Sequence, residues 1–120
     1  METNKIILQK LRCVSGDNYE LAERYYSILS ALNDLKLTQR EVQLVAYAAV
    51  RGNMSYANVK EEFCKKYNSS SPTISNMISK LKKVKIFVKD GGKVRVNPMI
   101  ALDFSKDVKL EIMLSHGQTS

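Results

Sequence analysis

The residues that could do chemistry in this chain are crowded into one stretch. Between Lys60 and Arg95 there are ten basic residues against three acidic ones, a net +7 that equals the charge of the whole 120-residue chain. The remainder is therefore neutral, and the excess is concentrated. Within that stretch, Thr73, Ser75, Asn76 and Ser79 place small hydrogen-bonding groups close together, and Lys80 follows them. Hydroxyls, an amide and ammonium groups make hydrogen bonds and bind anions. A localised positive field of this kind attracts a polyanion, most often nucleic acid. A solvated lysine face that only keeps the chain soluble has the same composition, so charge alone does not separate the two.

Other chemistries find no residues to carry them. A metal site needs clustered ligands, and one histidine, His116, with two distant cysteines, Cys13 and Cys64, does not supply them. A nucleophilic triad lacks a base, because His116 stands in a terminal tail. Gly91-Gly92 reads as a turn and is not followed by a helix, so it does not cradle phosphates as a nucleotide-binding loop does. An enzyme is not expected, nor a cofactor, nor a small-molecule ligand. The cysteines read as reduced thiols in a cytosol-like compartment. No run approaches the roughly 18 apolar residues of a membrane span, and the polar start shows no secretory pattern. The expected location is cytoplasmic.

With 44% hydrophobic residues, 26% charged residues and only two prolines, the composition is that of an ordinary folded domain. Residues 5–14 read as extended, with a stop at Ser15-Gly16. Asp17 and Glu20 mark a helix start, and Leu21, Tyr25, Ile28, Leu29, Leu32 and Leu35 follow at helical spacing. Thr38-Gln39-Arg40-Glu41 is a capping box. It opens a helix through Val50 that is apolar almost all round and should be the most buried, ended by Gly52. Ser55 caps a third helix whose inner face is Tyr56, Val59, Phe63 and Tyr67. Ser71 is the expected cap of a fourth, with Pro72 at its first position and Ile74, Met77, Ile78 and Leu81 inside. The period then changes to two. Ile86 and Val88 face inward from one strand and Val94 and Val96 from the next, around an Asp90-Gly91-Gly92 turn. Residues 108–114 alternate cleanly, which predicts a C-terminal strand. The predicted organisation is an extended arm (1–16), a helical domain with a hairpin (17–98), and a strand with a tail (99–120). The fold class is mainly α with a small β component (α+β).

Helix, helix, short turn, helix and basic hairpin, in that order, resemble the winged helix-turn-helix superfamily, as in MarR-like regulators and plasmid or phage replication-initiator domains. The likeness covers about residues 17–98 and rests mainly on the run SPTISNMISKLKKVKIFVKDGGKVRVNP. It implies double-stranded DNA as the partner, in transcription or replication control. The major groove admits one α-helix, so Thr73, Ser75, Asn76, Ser79 and Lys80 would read base edges. Asn76 is the best reader, through adenine, because that face has no arginine. Ser70, Ser71, Lys82, Lys83, Lys85, Lys89, Lys93 and Arg95 would contact the DNA backbone. The flanking strands would pair with each other or add to a neighbour's sheet edge, giving a homodimer or higher homo-oligomer. The competing reading is a non-enzymatic assembly component, for example of a phage virion, that uses the same body and arms for subunit contacts.

Overall fold

The computed structural model describes residues 17–54 and 57–116. Among them the chain forms α1 (Asn18–Leu32), α2 (Gln39–Arg51), α3 (Ala57–Tyr67), α4 (Ser71–Lys83), β1 (Phe87–Asp90) and β2 (Lys93–Val96). The class is mainly α with a small antiparallel sheet. The predicted N-terminal strand, Cys13, Ser55 and Tyr56 lie outside the described residues.

Local signals set the helix starts. Asp17 accepts the Tyr19 N–H at 2.6 Å. Thr38 and Glu41 form the reciprocal box that caps α2, and Gly52, at φ +96°, ends that helix. The cap of α4 is Ser70, one residue before the expected Ser71. Ser70 is extended and its hydroxyl accepts the Thr73 N–H, which puts Pro72 at the second helical position. Three helices end alike. Asp34, Asn68 and Lys85 each adopt positive φ, and the next N–H reaches back five residues, from Leu35 to Ser30, Ser69 to Cys64 and Ile86 to Leu81. This is the Schellman reversal, with non-glycine residues in the left-handed position.

The core gathers around α2, from which Leu44, Val45 and Ala48 are buried with Phe63, Ile78 and Leu81, as the periodicity predicts. The buried stripe of α1 is rotated from its expected face. Ala22, Tyr25, Tyr26 and Ser30 are inside while Leu32 is 54% exposed. Polar partners make this possible: Tyr26 Oη donates to the Ile100 carbonyl at 2.8 Å, and Ser30 Oγ accepts the Leu37 N–H at 3.1 Å. Phe104 then packs against Tyr25 and Tyr26.

The hairpin differs from expectation in phase. The left-handed Lys85 turns the chain sharply, so Ile86 is buried in the corner and the strand begins at Phe87. Phe87 pairs with Val96 and Lys89 with Val94, whereas Val88 pairs with Arg95 and Asp90 with Lys93. Phe87, Lys89, Val94 and Val96 therefore share the face that carries the buried residues, and Val88 lies on the other. Gly91 and Gly92, at φ +58° and +81°, supply the two positive dihedrals of a two-residue turn.

Residues 108–114 form no strand. Leu110, Ile112, Met113 and Leu114 are 40–92% exposed. Alternation fits a residue row to a sheet face, but a strand also needs a neighbour for its backbone hydrogen bonds. Among the described residues the sheet holds only β1 and β2.

Candidate nucleic-acid interface

Helix α4 turns Ile74, Ile78 and Leu81 into the core, three and four residues apart. Its opposite side then necessarily carries Thr73, Ser75, Asn76, Ser79, Lys80, Lys82 and Lys83, all exposed. The hydroxyls near its start already have work within the protein. Ser70 Oγ accepts the Thr73 N–H and lies 2.8 Å from Thr73 Oγ1. Ser71, Ser75, Asn76 and Ser79 remain exposed on the helix surface.

Lys80 is not simply a solvent-facing cation. Its Nζ lies 2.8 Å from Glu41 Oε2, on a glutamate side chain only 5% exposed. The other oxygen of that carboxylate accepts the Thr38 N–H. Burial pushes the Glu41 carboxyl up, and the hydrogen bonds from Lys80 and Thr38 together with the Lys80 charge outweigh it, holding it below the ordinary carboxylate range. Lys80 thus fastens α4 to the cap of α2. Lys66 is likewise committed elsewhere, 3.6 Å from the centre of the Tyr19 ring and near Tyr47 and Tyr67. Arg40, from the start of α2, donates to the Tyr67 carbonyl.

The basic residues of the hairpin do not act as one group. Lys89 shares its face with Phe87, Val94 and Val96, while Lys93 and Arg95 stand on the other. Lys89 meets Lys82 of α4 and Lys60 of α3 around an open cleft of about 310 Å³ that also contains Ser75. Lys60 stands outside the set of DNA contacts that the sequence predicts. A faint signal existed: Lys60, Cys64 and Tyr67 lie four and three apart, flanking the buried Val59 and Phe63.

Two hydrogen-bonded anchors hold the hairpin beside these helices. The Met54 N–H, from the α2–α3 connection, donates to the Val94 carbonyl at 3.0 Å. At the base, the Asn97 N–H donates to the Ile86 carbonyl at 2.8 Å and its side-chain amide to the Lys85 carbonyl at 2.9 Å. Lys83 and Lys85 are exposed at the corner between α4 and β1.

Among the described residues, no group of three or more His, Cys, Asp or Glu side chains is placed to hold a metal ion. No described helix is long and apolar enough to cross a membrane. No protein-family model, curated protein or solved structure matches this chain.

Proposed function

We propose that this is a winged helix-turn-helix protein that binds double-stranded DNA in transcription or replication control. The exposed face of α4 enters the major groove, and the hairpin, as the wing, lies on the backbone. One observation carries the reading. Lys82, Lys83, Lys85, Lys89 and Arg95 project from α4, its corner and the hairpin with no ion pair to a carboxylate among the described residues, beside the row Ser75, Asn76 and Ser79. Lys80 acts mainly in holding α4, so Asn76 is the residue assigned to base reading. An amide can pair with both hydrogen-bonding atoms of an adenine edge.

Fluorescence anisotropy with random duplex at several salt concentrations tests it. Affinity should fall with a log–log slope of roughly −0.9 per neutralised phosphate. Replacing Lys93 and Arg95 by alanine should weaken all sequences alike and flatten the slope by up to about two. On a site selected from a random pool, Asn76→Ala should cost roughly 1–3 kcal/mol and leave random duplex nearly unchanged. No binding at low salt would refute the proposal.

A second reading is favoured by a different observation, the apolar side chains displayed by residues 110–114. An assembly component that uses this arm for subunit contacts would form oligomers through it. Light scattering together with duplex binding, before and after deletion of everything beyond Phe104, separates the two. An assembly component predicts a higher oligomer that shrinks on deletion and binds duplex weakly or not at all. A DNA reader predicts a monomer or dimer with salt-dependent duplex binding that the deletion leaves unchanged.

A further inference from the structure

We infer that the cleft between α3, α4 and the hairpin is a phosphate-binding site, with Lys60, Lys82 and Lys89 as its cationic ligands and Ser75 as a hydroxyl donor. The three lysines come from three different elements and line one cleft. None of them forms an ion pair with a carboxylate among the described residues. Like charges gathered around one concavity repel one another until an anion sits among them, and their summed field draws that anion in. Two basic side chains outside the cleft are already committed within the protein, since Lys80 is neutralised by Glu41 and Lys66 lies over tyrosine rings.

The walls suit a phosphate group more than a carboxylate. Ammonium groups on several sides match an anion with oxygens pointing in several directions, and each contact is a charge-assisted hydrogen bond. Ile78 and Val94 form apolar parts of the same lining. A volume of about 310 Å³ falls at the small end of the roughly 300–1,000 Å³ spanned by small-ligand sites. The phosphate has two possible sources. It is either a backbone phosphate of the duplex, which deepens the DNA reading, or a free di- or triphosphate, which stands apart from that reading.

The full chain, labelled with ¹⁵N, is titrated with pyrophosphate at constant ionic strength and followed by two-dimensional NMR. Saturable shifts should centre on the amides of Lys60, Ser75, Lys89 and Gly92. Lys60→Gln should weaken the binding by about fivefold, the loss of one charge-assisted contact. Lys65→Gln changes an exposed lysine of the same helix that is not in the cleft lining and should leave the binding unchanged. The same two variants are then compared on random duplex. If Lys60→Gln weakens both pyrophosphate and duplex, the site takes a backbone phosphate for which free polyphosphate competes. If it weakens pyrophosphate alone, the site takes a free phosphate ester. Shifts that never saturate, or two variants that behave alike toward pyrophosphate, overturn the assignment. Salt-dependent duplex binding with a silent cleft would overturn this site while leaving the DNA reading standing, and a responsive cleft with no duplex binding would do the reverse.

Discussion

Replacing Lys80 with methionine asks whether this lysine serves the protein's own electrostatics. Its ammonium lies 2.8 Å from Glu41 Oε2, and the Glu41 side chain is only 5% exposed. Without Lys80 the carboxylate keeps its burial and its hydrogen bond from Thr38 but loses its cation. Breaking a fully buried pair in this way costs about 3–5 kcal/mol. Lys80 itself is 55% exposed, so water screens much of the pair, and the expected loss at pH 7 is about 1–2 kcal/mol. The pH dependence follows from the lowered Glu41 value. The folded carboxyl binds its proton less tightly than the unfolded one, whose pKa is about 4.3. Its contribution is therefore complete above that pKa and drains away as pH falls through the folded value. In Lys80→Met the two lowering contributions of Lys80 are gone, so the carboxyl takes up its proton at higher pH than in wild type and no longer lacks a cation once neutral. The stability gap between variant and wild type should accordingly narrow toward pH 4. Urea unfolding followed by circular dichroism at pH 7 and pH 4 measures both values. Equal losses at the two pH values, or a loss under about 0.3 kcal/mol at pH 7, would refute the reasoning.

Three further outcomes are expected. Leu44→Ala and Leu81→Ala, at fully buried positions, should each cost about 2–5 kcal/mol in chemical denaturation; values below about 1 kcal/mol at both would contradict the burial of these faces of α2 and α4 in the core. Lys85→Gly should raise the melting temperature, because a left-handed dihedral of +66° costs an L-residue about 1–2 kcal/mol, and glycine's extra unfolded-state entropy offsets only about 0.4–1 kcal/mol. The same change should weaken duplex binding, and a lower melting temperature would disprove strain at this corner. Tyr47 and Tyr67 are both raised to about 12, first by burial and then by Glu62 beside Tyr47 and Glu23 near Tyr67. Their stabilisation is complete below about pH 10 and is lost between there and about 12; burial also raises Tyr26, and to a lesser degree Tyr25, so an ultraviolet titration should show at least three phenols ionising late. All six tyrosines titrating together near pH 10 in the folded protein would contradict this.

What could be read in advance was local. The Thr38–Glu41 box involves four consecutive residues, the inner row Ile74, Ile78 and Leu81 is a matter of helical period, and Gly91-Gly92 requires only a two-residue turn. What escaped depends on partners distant in sequence. Lys80 looks like any exposed helix lysine until Glu41, from another helix, lies beside it. Lys60 becomes part of a cleft only once α3 and the hairpin are placed. The left-handed dihedral at Lys85 shifts where β1 begins, and that one-residue offset moves Lys89 to the opposite face from Lys93 and Arg95. The exposed Leu32 and the buried Tyr26 exchange roles because a tyrosine hydroxyl finds the Ile100 carbonyl. In residues 108–114 the alternation is real, but pattern alone provides no neighbouring strand.

The Asn97 anchor has a thermodynamic consequence. Its backbone and side chain bind the two carbonyls that precede β1, and its Oδ1 accepts the Met99 N–H as the chain leaves β2. The corner at the foot of the hairpin is thus ordered before any partner arrives. Association costs conformational freedom mainly where the free protein still has it. The base of this hairpin contributes contacts whose ordering entropy was already spent in folding. Asn97→Ala should therefore make binding entropically more costly through a residue that need not touch the ligand, and the loss should show in the association entropy measured by calorimetry.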